Sequence, residues 1–84
     1  MLPMARPSPS YAGSKELKAL GKAIRQMRKD LGLSQEAFAD DVGIDRSYMG
    51  GIERGEHNLA LMNLVKIAKA LKIPVNQILL EAKI

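Results

Sequence analysis

Apolar residues in the first half of the chain fall at Leu17, Leu20, Ile24, Met27 and Leu31, at gaps of three, four, three and four. That spacing lays them along one face of an α-helix with about 3.6 residues per turn. Ser14 precedes the stripe as an N-cap hydroxyl, and Gly32 follows it as a residue able to close the helix in left-handed backbone. Ser34 caps a second helix with Phe38, Ala39 and Val42 inward, and Gly43 breaks it. Asp45 is a third N-cap, opening a helix through Arg54 with Met49 and Ile52 inward, and Gly55 ends it. Asn58 is expected to cap a fourth helix, along which Leu61, Leu64, Ile67, Ala68 and Leu71 recur at helical spacing. Pro74 sets off a short fifth segment with Val75, Ile78 and Leu79 on one side. The fold class expected is all-α, a compact five-helix bundle over residues 14–84.

Residues 1–13, MLPMARPSPSYAG, are different in kind, with three prolines and a single charge. Proline denies the backbone donor that a helix or central strand needs, so a disordered tail is expected there. They hold no apolar stretch of signal-peptide length, and no run in the chain approaches the roughly 20 apolar residues of a membrane span. The 84 residues are enough for one domain. Zero Cys excludes disulfides, thiolate metal sites and cysteine nucleophiles together, and fits a cytoplasmic location. One His cannot make a zinc or haem site by itself. Three aromatics among many Leu, Ile, Ala and Met favour helices over a small β-barrel.

A net charge of +4 hints at a polyanionic partner, but its distribution says more. Residues 1–32 carry seven basic and two acidic side chains, residues 33–58 two and six, and residues 59–84 four and one. The basic excess sits at the ends of the chain. A polyanion would meet the middle through individual residues, not through bulk charge.

Those individual residues stand in Gln35 to Arg54, QEAFADDVGIDRSYMGGIER. Counting from Gln35, Ala39 is fifth, Gly43 ninth, Ile44 tenth, Met49 fifteenth and Ile52 eighteenth. Ala39 is small where a second helix crosses closely above the first. Gly43 supplies the positive φ that a short turn between steeply crossing helices requires. Phe38, Val42, Ile44, Met49 and Ile52 wedge both helices onto the core. Small residue, turn glycine and apolar positions all agree on a helix-turn-helix.

The chain resembles the helix-turn-helix family of Cro and phage repressors, the xenobiotic-response-element type. The phrases LGLSQEAFA, GIDRSY, and GIERGEHN followed by LMNLVKIAKAL carry the resemblance, which covers roughly residues 15–80. It implies a lambda-repressor-like bundle that binds double-stranded operator DNA as a homodimer, with the second motif helix in the major groove. By position, Arg46 and Ser47 match the base-reading residues of that helix, where an Arg can grip guanine bidentately. Ser34, Gln35, Tyr48, Arg54, His57 and Asn58 match positions suited to phosphate contact. Arg28 and Glu53 match the family's partly buried ion pair. Gly50-Gly51 departs from the family pattern, which places longer polar side chains there. Either reading then leans on Arg46 and Ser47 and on DNA shape, or glycine lets the backbone approach DNA closely. GGIERGERN-like wording is also similar to the controller proteins of restriction–modification systems.

Plainer readings stand beside these. Gln35 and Arg46 could be solvated, Ser47 could touch only phosphate, and Tyr48 could pack its ring on the core. Lys66, Lys69 and Lys72 read as a solvated face. Arg6 is either inert or an arm touching DNA. Catalysis is not expected, because His57 lacks a nucleophile and an orienting partner, and no phosphate loop or metal-spaced carboxylate set is present. No cofactor, metal or small-molecule ligand is expected, and RNA polymerase is a further candidate partner. A fifth helix with Ile73, Val75, Ile78, Leu79 and Ile84 is the expected dimer seam. The function expected is an autoregulatory transcriptional regulator of its own promoter. The alternative is a protein-interaction or antitoxin-like module that uses the same fold without specific DNA binding.

Overall fold

A computed structural model describes residues 11–84, which fold as five helices: α1 (Lys15–Asp30), α2 (Gln35–Val42), α3 (Arg46–Glu53), α4 (Leu61–Leu71) and α5 (Val75–Ala82). Among the described residues there is no strand. Helix α1 packs on α3 and α5, α2 on α3 and α4, and α4 on α5. Phe38, Ile24, Met49, Ile67 and Ile78 form the fully buried centre, so every helix places at least one large side chain in the same core. Burying such side chains is the main stabilising contribution in a domain this small.

The helix starts show how local chemistry fixes the ends. Ser14 Oγ accepts from the Leu17 amide at 3.2 Å, and Ser34 Oγ accepts from the Ala37 amide at 3.0 Å. Gly43 ends α2 at φ +85°, a conformation that turns the chain directly into α3. Two further ends are less comfortable: Lys72 and Lys83 close α4 and α5 at φ 61° and 59°. Gly21 answers to packing instead. It lies where α1 crosses the end of α3, and a Cβ there would stand 2.4 Å from the Ile52 carbonyl oxygen.

Four expectations need correction. Asn58 does not cap α4, which begins after Ala60 at Leu61 without any side-chain cap. Residues 56–60 instead form a connection that runs free of the helix. Asp45 occupies the N-cap position of α3, but its carboxylate binds the Ser47 hydroxyl instead of making the expected cap bond. The tail over residues 1–13 is ordered in its described part: Ser14 donates to Tyr11 O at 2.9 Å, and Gly13 donates to Gly55 O at 2.7 Å. Residues 1–10, Arg6 included, lie outside the described residues. Ile78, expected in a dimer seam, is fully buried in the core of its own chain. The core takes Ile78 for itself, with Val75 and Leu79 packed partly buried beside it, so the apolar residues of α5 are not all in excess of what the core needs. Among the described residues no helix is long and apolar enough to cross a membrane.

Candidate nucleic-acid interface

The turn at Gly43 brings the starts of α2 and α3 together on one face of the molecule. Gln35, the first residue of α2, accepts through Oε1 from Arg46 Nη1 of α3 at 3.4 Å. Its Nε2 donates to Glu53 Oε1 at 3.2 Å. Glu53 is held from the other side by Arg28, which donates from Nε to Oε2 at 2.8 Å and from Nη2 to Oε1 at 3.0 Å. The third guanidinium nitrogen, Nη1, donates to the Leu33 carbonyl at 2.8 Å, just before α2. Side-chain exposure is 9% for Arg28 and 2% for Glu53, so this charge pair is buried and bidentate. Four side chains from three helices therefore run in sequence from a buried anchor to the exposed Arg46. The anchor fixes the angle between α1, α2 and α3, and Gln35 transmits it to Arg46.

Ser47 is exposed beside Arg46, with its hydroxyl proton committed to Asp45. That bond, ahead of the nearby Ser47 and Tyr48 amides and Arg46, holds the Asp45 carboxyl below its ordinary value. With its proton engaged, Ser47 presents oxygen lone pairs outward. Tyr48 is arranged the opposite way. Its ring packs against the core, and its hydroxyl accepts from Asn63 of α4 at 3.3 Å, which leaves its own proton to donate outward.

The glycine pair is not open backbone. Both glycines are buried by neighbouring side chains. A Cβ on Gly51 would meet His57 Nε2 at 2.4 Å, so the imidazole lies directly over the helix there, 4.8 Å from the Tyr48 ring centroid. A Cβ on Gly50 would meet Arg54 Nη1 at 3.0 Å and Gln35 Oε1 at 3.3 Å. Arg54 is exposed and bound to Glu56, Nε to Oε2 at 2.7 Å and Nη2 to Oε1 at 3.1 Å. Their hydrogen bond raises the Arg54 pKa and lowers that of Glu56. In so exposed a position the pair orients Arg54 more than it stabilises the fold. Asn58, Lys66, Lys69 and Lys72 are exposed, the lysines on the outer side of α4 and its end.

Ser34, Gln35, Arg46, Ser47, Arg54 and His57 thus gather around the starts and outer side of α2 and α3. Tyr48 joins them at one edge, and Ile73, Val75 and Leu79 are half-buried on and before α5, away from this face. Sequence reasoning missed Asn63 and Glu56, which orient Tyr48 and Arg54. No spacing rule marks a residue fifteen positions away, or an acid two positions on, as such a partner.

The helix-turn-helix family profile matches residues 24–78. The chain is 39% identical over 59 residues to control protein C.MunI of a Mycoplasma species, covering 69% of this chain and 80% of that one. It superposes with a TM-score of 0.73 on the restriction–modification controller protein C.AhdI from Aeromonas hydrophila, at 44% identity over 75% of this chain and 96% of that one. A structure of SinR, the master regulator for biofilm formation, in complex with DNA matches with a TM-score of 0.68 at 33% identity, covering 71% and 97%. The motif, its buried anchor and these likenesses agree, and the protein belongs to the helix-turn-helix family of Cro and phage repressors, DNA-binding transcription regulators that are not enzymes.

Proposed function

We propose that this regulator is a cytoplasmic, controller-type protein that binds a short palindromic operator near its own promoter as a homodimer. One observation carries the reading: the hydrogen bond from Arg46 to Gln35, which aligns the starts of α2 and α3 on a common face. In this reading α3 enters the major groove and Arg46 grips a guanine through O6 and N7. Ser47, with its proton held by Asp45, accepts from an amino group on an adenine or cytosine. Ser34, Gln35, Tyr48, Arg54, His57 and Asn58 hold the flanking phosphates, with the α2 N-terminus adding its partial positive charge.

Ile73, Val75 and Leu79, together with the exposed Leu80 and Ile84, supply the seam between two copies. Two half-sites one helical turn apart then double the sequence that is read. Sedimentation at micromolar concentration is expected to show a species of about twice the 9.2 kDa chain mass; a single 9.2 kDa species would remove the homodimer. Regulation follows from the protein's own concentration, and the distance from operator to promoter decides whether RNA polymerase is recruited or excluded.

The test is fluorescence anisotropy on DNA from upstream of the protein's own gene against a scrambled duplex, across a salt series. Specific binding is expected to be about 10³-fold tighter or more and to fall steeply with salt. Arg46→Ala is expected to cost about 1–3 kcal/mol on the specific duplex and to relax base preference. Gln35→Ala is expected to weaken both duplexes alike, and a sequence-selective loss would contradict its phosphate role. Absence of binding to either duplex at low salt would favour the protein-interaction alternative.

A further inference from the structure

On the flank of α3 that faces α1, Gly50 floors an open cleft of about 400 Å³ whose walls are Arg25, Arg28, Gln35, Glu53 and Arg54. Its charges do not cancel. Both nearby carboxylates are already engaged, Glu53 by Arg28 and Glu56 by Arg54. Arg54 keeps Nη1 outside its pair with Glu56, and that nitrogen lies over Gly50. Arg25 is exposed on α1 and, among the described residues, its side chain makes neither a hydrogen bond nor an ion pair. The cleft thus presents one unpaired guanidinium, one free guanidinium nitrogen and the Gln35 amide, with no unengaged acid among them.

Gly50 leaves room for the Arg54 and Gln35 side chains that wall the cleft. Its Cβ position already touches Arg54 and Gln35, so a longer side chain would have to occupy the cleft or displace them. Glycine inside a helix costs about 1 kcal/mol relative to alanine, and the fold accepts that cost at the residue that floors a cationic hollow. Guanidinium groups from α1 and from the end of α3 suit a tetrahedral oxyanion, since Arg25 can donate two parallel hydrogen bonds and Arg54 can add a further donor from Nη1.

We propose that this cleft seats one phosphate of the DNA backbone, with Arg25 and Arg54 as its cationic ligands. The inference rests on the DNA-binding reading above, and it adds to that reading a residue on α1 and a reason for glycine at position 50.

The experiment compares the unsubstituted chain with Arg25→Gln, Gly50→Gln and Lys22→Gln. Lys22 is an exposed cation on the same helix that borders the groove facing α5, so its substitution removes the same charge from another side. Binding is followed by anisotropy on a random duplex of about 20 base pairs, two turns of helix, across a salt series. Arg25→Gln is expected to weaken binding about fivefold to tenfold near 0.1 M salt and to lower the log–log salt slope by about 0.9. Lys22→Gln is expected to change affinity by less than about twofold. Gly50→Gln is expected to keep the helical circular dichroism while weakening duplex binding.

Equal effects of Arg25→Gln and Lys22→Gln would overturn the inference while leaving the DNA-binding reading intact. Failure of the unsubstituted chain to bind any duplex would overturn that reading, and this inference with it. An Arg25→Gln chain that loses affinity for inorganic phosphate but not for duplex would assign the cleft to a free phosphorylated ligand, and would overturn the backbone assignment.

Discussion

Gly21→Ala is expected to lower the thermal midpoint by about 12–24 °C, although it adds only a methyl group. The added Cβ would stand 2.4 Å from the Ile52 carbonyl oxygen and 2.5 Å from that of Glu53. Both obstructing atoms are backbone, at the end of the helix proposed to read DNA. No rotamer change relieves the clash, so α1 must lift away and carry Leu20 and Ile24 out of the core. The loss outweighs the ~1 kcal/mol that alanine gains over glycine within a helix. A net cost of about 3 kcal/mol is expected, equivalent to the midpoint shift at roughly 4–8 °C per kcal/mol. Thermal circular dichroism measures it directly, and an unchanged midpoint would contradict the close crossing. Gly51→Ala is the contrast. There the obstruction is the His57 ring, the end of a side chain that can swing aside.

Glu53→Ala is expected to be more severe, at about 3–5 kcal/mol, because it strands the buried Arg28 guanidinium. Its informative partner is the double substitution Arg28→Met with Glu53→Leu. Replacing both charges with apolar side chains of similar size is often neutral or stabilising in a buried site. The double variant is therefore expected to fold with near-normal stability in urea denaturation. It is nevertheless expected to bind duplex DNA more weakly, since Gln35 has lost the Glu53 oxygen that orients it and so supports Arg46 less well. Stability and affinity would then separate. If both recovered together, the pair would serve the fold alone, and the chain of contacts from Arg28 to Arg46 would carry nothing to the start of α3.

The helices were legible in the chain because their starts and stops are local events. Ser14 and Ser34 cap by reaching three residues ahead, and Gly43 ends α2 by its own backbone freedom. Asn58 misled for the same reason: it has the chemistry of a cap, but nothing local says the chain will run on to Ala60 first. Ile78 shows the other boundary. A hydrophobic face says that a residue will be covered, not whether its own chain or another copy does the covering. Around α3, the helix proposed to read DNA, residue types suggested the candidate positions, whereas the packing of Gly50 and Gly51 depends on Arg54, Gln35 and His57 folding back over them. Such side-chain placement is a tertiary fact that periodicity does not encode.

The lysines that end α4 and α5 bear on how such a sequence changes over generations. Each holds a left-handed backbone in which a side-chain-bearing residue is strained by about 1 kcal/mol, a strain glycine escapes. A regulator whose operator drifts must exchange residues on its reading helix, and most exchanges cost stability. Here a single later change at residue 72 or 83, outside that helix, could restore about what one such exchange removes. The two strained ends are therefore a reserve of recoverable stability that lies outside the helix proposed to read DNA, open to glycine without any change in what that helix presents.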